Sequence, residues 1–283
     1  MKQVISIIAL LLLLVPFKGN TQVQTVLDGA YVKEHNPTKR VIPYPHLREA
    51  DVMYHKRIWQ EIDLKQKMNH PLYFPERPIQ DRKSLFEVIK DALLVDQSIT
   101  AYGLGPADED DEFLYPLSRE DVEQILEPIV TNYTEDPDTG ERIAVEAKQP
   151  VKSTDIARYQ IKEDWIFDKQ RSERYVRIIG ICPMKEDFDD DGAVRGYKKL
   201  FWLYFPECRY VFANADSYNF ANDSQRRTFE DIFQKRFFSS FIVKESNVYD
   251  RSIRSYAQGI DQHLEAERIK HEQFLLEHDL WSY

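Results

Sequence analysis

The chain has 283 residues, a formal net charge of −10, 42% hydrophobic and 13% aromatic residues, and only 9 glycines. That is ample material for a large core, and too little glycine beside too much charge (30%) for a fibrous or low-complexity protein. The acidic balance argues against nucleic acid, and against electrostatic binding to anionic lipid or glycan.

Residues 1–21 read as a secretory leader. Met1-Lys2 is a short positive start, and Val4 to Phe17 is largely apolar, with leucines from Leu10 to Leu14. The polar stretch Lys18-Gly19-Asn20-Thr21 follows, and small residues at Gly19 and Thr21 point to Gln22 as the new N-terminus. The apolar stretch is short for a bilayer span, which needs about 20 residues. No cysteine lies near the cleavage region, so no lipid anchor is expected. Loss of Lys2 and Lys18 takes the charge from −10 to −12. The expected product is exported, with no direct membrane span.

Residues 22–45 carry Pro37, Pro43 and Pro45 and little periodicity, which predicts an extended arm. From 46 to 283 we expect one α+β domain. Val52, Tyr54, Ile58, Trp59 and Ile62 are spaced for a helix within 46–64. Ser84 with Glu87 predicts a capping box before a helix carrying Leu85, Val88, Ile89, Ala92 and Leu93. Ser98–Tyr102 reads as a strand ended by Gly103-Leu104-Gly105-Pro106, and Asp108–Glu112 as a solvated charged loop. Ser118-Arg119-Glu120-Asp121 caps a short helix, and residues 129–133 and 141–147 bracket a hairpin turn. Residues 155–168 are helical or extended, anchored by Trp165.

Arg174 to Asn214 is the most informative stretch. Two apolar runs flank the turn Asp187-Phe188-Asp189-Asp190-Asp191-Gly192, which predicts a long β-hairpin. Ile178-Ile179-Gly180-Ile181-Cys182 and Leu200 to Phe205 do not alternate with polar residues. Both faces of this ribbon therefore need cover, which makes it the expected centre of an antiparallel sheet covered by helices. Pro206 predicts a bulge or an edge. Closing the turn near residue 192 puts Cys182 opposite about residue 202 and Cys208 opposite about residue 176, too far apart for a disulfide. Two buried free thiols are expected. Further on, Asn222-Asp223-Ser224 caps a helix striped by Phe229, Ile232, Phe233, Phe237 and Phe238; Phe241-Ile242-Val243 is a strand; and a charged helical tail follows from Glu245.

Candidate chemistry is sparse. Asp187 to Gly192 has the D-x-D-x-D-G spacing that opens an EF-hand loop, where alternate oxygens converge on calcium. Lys198 stands where the twelfth-position glutamate should be, and Arg195 lies inside the loop, so a plain turn is the better reading. His263, Glu267 and His271 share a helix face at zinc-compatible spacing, within a tail dense enough in charge to be simply solvated. There is no G-x-S-x-G motif, and Gly103-Leu104-Gly105 lacks the third glycine of a nucleotide fingerprint. No cofactor and no catalytic residues are expected. An enzyme acting on cell-wall glycan or peptide through its carboxylates, and a calcium-dependent binding module, remain the alternatives.

Specific wording carries a family resemblance. Arg177-Ile178-Ile179-Gly180-Ile181, Lys185-Glu186-Asp187, Leu200-Phe201-Trp202, Tyr204-Phe205-Pro206-Glu207 and Arg209-Tyr210 resemble the GldN (PorN) family of the type IX secretion and gliding machinery. So do Lys244-Glu245-Ser246-Asn247-Val248-Tyr249-Asp250-Arg251, Glu277-His278-Asp279-Leu280-Trp281, Asp28-Gly29-Ala30-Tyr31 and the segment from Ile62 to Pro71. The resemblance implies a periplasmic, non-enzymatic subunit of a ring beneath the outer membrane. Its implied partners are a GldK/PorK-type outer-membrane lipoprotein, GldL/GldM-type inner-membrane motor proteins and copies of itself. Tyr249, Arg251 and Trp281 are the candidate partner surface; the terminal Trp281 and Tyr283 could dock on a partner, but folding back on their own core is the better reading.

Overall fold

In this computed structural model the chain is described over residues 39–79, 82–106, 110–135, 142–189, 192–222 and 224–281, without the side chains of 130–146 and Trp281. The expected leader, residues 22–38 of the expected arm, Asp108 and Glu109, the predicted turn at 136–141, Asp190 and Asp191, Asp223, Ser282 and Tyr283 lie outside the described residues.

The predicted α+β class with an antiparallel sheet holds. Strand β1 is Val52–Asp63; a helical turn α1 is His70–Tyr73; helix α2 is Leu85–Leu94 and strand β2 Ala101–Tyr102. Helix α3 is Arg119–Leu126, followed by β3 Ile129–Glu135, β4 Arg142–Lys148, β5 Ile156–Asp168, β6 Glu173–Phe188, β7 Val194–Lys199 and β8 Trp202–Tyr204. Helix α4 is Phe205–Asn214, then come β9 Asp216–Ser217, β10 Arg227–Thr228, α5 Phe229–Gln234, β11 Phe241–Glu245 and α6 Ile260–Trp281. The main sheet runs β11-β1-β5-β6-β8-β2, with β7 also on β6; β3–β4 and β9–β10 form separate two-stranded sheets.

The stretch expected as a helix over 46–64 is instead the strand β1. Its apolar spacing mimics a helical stripe because the strand lies between β5 and β11 and buries residues on both faces. Ile58 and Ile62 pack on one side and Trp59 on the other. Of the segment 155–168, Asp155 ends a short helical turn and Ile156–Asp168 is one extended strand. Its partner β6 follows through a turn that contains no glycine. Asp168, buried, accepts from the Gln170 amide at 2.8 Å and from Arg171 Nη1 at 3.2 Å, and Ser172 adopts φ +53°.

The ribbon is only half a hairpin. Met184–Phe188 pairs with β7 around the turn at Gly192, where φ is +76°. The predicted register continues in β8, with Gly180 opposite Tyr204 and Ile181 opposite Leu203. Beyond Tyr204 the chain leaves the sheet as α4. Pro206 is neither bulge nor edge: it sits in the first turn of that helix, where its missing N–H costs nothing. Cys208 thus lies on a helix, not opposite residue 176, and both thiols are buried and free.

Cover for the two sheet faces differs. One face carries the main core, where α2, α4 and α5 bring Phe86, Ile89, Phe205, Phe212, Phe229 and Phe233 against Ile62, Tyr159, Ile161, Ile181 and Leu203. Phe233 meets Phe205 edge-on at 5.3 Å and stacks on Phe212 at 5.8 Å. Each fully buried phenyl ring there is worth about 1.5–3 kcal/mol. On the other face the cover is mainly a loop: Leu104 and Phe113 close over Trp59, Cys182 and Trp202.

Capping is partly as predicted. Ser84 Oγ accepts from the Glu87 amide, but the Glu87 carboxylate accepts from Ser153 Oγ instead of completing the box. Ser118 and Asp121 form a full box. Helix α5 is capped by Thr228 with Asp231, not by 222–224, and it ends before Phe237. Phe238 is buried, whereas Phe237 is half exposed.

Residues 39–46 of the arm are extended, yet they are tied down by side chains. The carbonyls of Ile42, Pro45 and His46 accept from Arg209, Arg177 and Arg171, and Lys39 bonds Asp231 at 2.7 Å. The Tyr44 ring stacks under Arg209 at 4.0 Å.

Candidate interaction surface

Strand register places the buried charges. Trp59, Lys162 and Gly180 form one cross-strand row. Lys162 is buried and donates to the Asp111 carbonyl at 2.7 Å and to Asp111 Oδ1 at 2.9 Å, while Trp59 Nε1 donates to Oδ2. Asp111 is therefore a structural anchor and not part of a solvated charge run. The fully buried Glu163 stands at a bulge; its oxygens accept from Arg236 at 2.7 and 3.2 Å, Gln60 at 3.0 Å and Trp165 at 3.0 Å.

Two further pairs show burial competing with charge. Burial raises the Glu230 carboxyl above its ordinary range despite the Arg209 guanidinium at 2.7 Å, and Glu230 Oε2 has no partner. At Asp164 burial also pushes upward, but Arg57, bonded to both oxygens, and His55 win, so its pKa is lowered. These charges are answered by groups of the fold itself, as buried ions must be.

Burial pushes the Cys182 thiol up to about 12 and raises Cys208 as well. A thiol reagent should therefore label neither cysteine in the native chain at pH 8 and both after denaturation in urea. Stoichiometric labelling without denaturant would contradict the described packing.

The predicted partner residues separate into two places. In the loop before α6, Asn247 acts as the organiser. Its side-chain oxygen accepts from the amides of Tyr249 and Arg251, and its nitrogen donates to the carbonyls of Glu245 and Arg251. This holds Asp250 at φ +47° and bonds it to Lys244 at 2.7 Å. Tyr249 is left exposed with the Arg251 guanidinium 4.9 Å from its ring centre, and the same guanidinium lies 4.8 Å from Tyr256. Tyr256 Oη bonds Glu265, which also holds Arg268. Tyr249 and Arg251 are thus one patch. Trp281 closes α6 some 24 Å further along the axis from Glu265, at 1.5 Å per residue.

His263, Glu267 and His271 are exposed along α6, and the His271 ring stacks on Phe274 at 6.3 Å. At the acidic turn, Asp187 is a paired strand residue opposite Gly196, and the Asp189 carbonyl accepts from the Gly192 amide. Sequence reading missed the exposed Ile260, Leu264, Phe274 and Leu275, scattered through a highly charged helix.

The fold and its surface define an α+β protein whose buried charges tie strands and loops together and whose last helix, with the loop before it, leaves Tyr249, Tyr256, Ile260, Leu264, Phe274 and Leu275 exposed among other surface apolar groups. Residues 47–282 match the family described as gliding motility associated protein GldN, and the chain belongs to that family. Among curated proteins no significant match was found.

Proposed function

We propose that the chain is an exported, non-enzymatic structural subunit of the type IX protein secretion machinery. In this reading it works in the periplasm after cleavage of its leader. It forms a ring complex with copies of itself and with a GldK-type outer-membrane lipoprotein. It couples to GldL/GldM-type inner-membrane proteins, supporting protein export and, where cells glide, motility. The observation that carries the reading is family membership over residues 47–282. The leader-like residues 1–21 support export, and no described helix is long and apolar enough to cross a membrane. The inward use of Lys162, Glu163 and Arg209 supports a structural role.

A clean deletion of the gene tests it. Proteins bearing C-terminal sorting domains should accumulate inside the cell and be exported again on complementation, and the tagged chain should co-purify with an outer-membrane lipoprotein. Intact secretion in the deletion strain would reject the proposal.

A further inference from the structure

Residues 39–46 lie on the body of the protein without joining its sheets or its core. They form no strand, and the Ile42 side chain is 82% exposed. What seats them is polar. Arg209 on α4 donates through Nη2 to the Ile42 carbonyl at 2.8 Å, and the same nitrogen lies 2.7 Å from Glu230 Oε1 on α5. The Tyr44 ring covers that guanidinium. Arg209 and Glu230 are 5% and 8% exposed, and Glu230 Oε2 is buried without a hydrogen-bond partner. Such an oxygen is better off protonated or wet than ionised and dry. The segment across Arg209 helps to keep it dry.

We propose that residues 39–46 form a proton-coupled strap, seated when Glu230 carries a proton and released when Glu230 is a carboxylate. Two contacts give the direction. The Ile42 carbonyl and Glu230 Oε1 crowd onto one nitrogen, so ionising Glu230 sets a negative charge beside the negative end of the strap's backbone dipole. Ionised Glu230 also answers the Arg209 charge by itself; once protonated, it leaves the buried guanidinium to the strap's carbonyl and ring. The raised pKa of this carboxyl agrees, with burial as its largest cause. Lifting the strap admits water to Oε2 and returns the carboxyl toward its ordinary range, so seating takes up a proton. The strap is held best below that ordinary range and loosens as pH rises through the elevated one. The other charges that act on Glu230 are Asp231 beside it on α5 and Lys39 of the strap. Tyr44 is coupled to it as well, and Arg177 of β6 reaches the same ring. At Asp231 burial pushes the pKa up, but the bonds from Lys39 and Thr228 outweigh it, so the Lys39 hook lets go only in stronger acid. His46 belongs to the strap and its carbonyl accepts from Arg171, so a charged imidazole there would oppose seating. The proposal does not depend on the secretion reading, which the deletion strain tests separately.

The experiment uses the purified chain from Gln22 with a nitroxide on Ile42→Cys, an exposed position; the native thiols are buried and stay unlabelled. The spin-label spectrum separates a seated strap from a mobile one. From about pH 8 to about pH 5.5 the seated-to-mobile ratio should rise at least about threefold. Glu230→Gln, neutral and of nearly the same shape, should hold the strap seated at both ends and erase the profile. His46→Gln should leave the profile in place. Tyr44→Ala should free the label at every pH while circular dichroism stays unchanged. A label equally seated or equally mobile across the range, or a ratio that falls with pH, would overturn the proposal. So would a profile that survives Glu230→Gln or vanishes with His46→Gln.

Discussion

Alanine at Glu163 should lower the unfolding free energy by about 3 kcal/mol, the lower end of what losing one partner of a buried ion pair costs. The carboxylate is fully buried and gathers Arg236, Gln60 and Trp165, so its removal strands three donors at once. Arg236 keeps about a third of its side chain in water, which is why the lower end applies. Glu163→Gln should cost less, because one side-chain oxygen remains. Urea melts with an unchanged m-value measure it. A loss under about 1 kcal/mol for the alanine variant would mean that water replaces the carboxylate and that the cluster is not holding β5 to residue 236.

Gly180→Ala should cost about 1–3 kcal/mol through overpacking. A methyl group there would lie 2.7 Å from Phe113 Cζ and 3.1 Å from Trp202 Cε3. The ring cannot simply retreat. Phe113 sits at φ +61°, with its ring edge-on to Tyr102 at 5.4 Å and to Tyr204 at 5.6 Å. Truncating Phe113 to alanine should be damaging alone but partly curative beside Gly180→Ala, giving a favourable coupling of about 1 kcal/mol in a double-mutant cycle. Strictly additive losses would show that the loop does not press on the sheet at this point.

How much of this was readable follows from where each constraint lies in the sequence. The Cys182-to-202 register was legible because a local turn with Gly192 fixes it. The caps at Ser84 and Ser118 were legible because partner and helix lie three residues apart. Strand β1 was misread because a strand buried on both faces loses its alternation. The Phe205–Asn214 helix was misread because its aromatic residues favour strands until Pro206 is placed in a first turn. The turn between β5 and β6 escaped notice because Asp168 and Ser172 do the work usually given to glycine. The buried Lys162 and Glu163 could not be foreseen, since their partners Asp111 and Arg236 lie 51 and 73 residues away. Of the candidate partner residues, Tyr249 and Arg251 came together while Trp281 lies at the far end of α6.

The strand order has a kinetic meaning in the exported reading proposed above. Ile58 pairs with Glu163 on one side and with Glu245 on the other, 105 and 187 positions later in sequence. Strand β1 therefore has no neighbour while the first half of the chain emerges, and the sheet cannot close until β11 arrives. Such non-local pairing makes folding slow. A chain that stays open until nearly all of it has been delivered is well suited to crossing a membrane as a thread and folding on the far side.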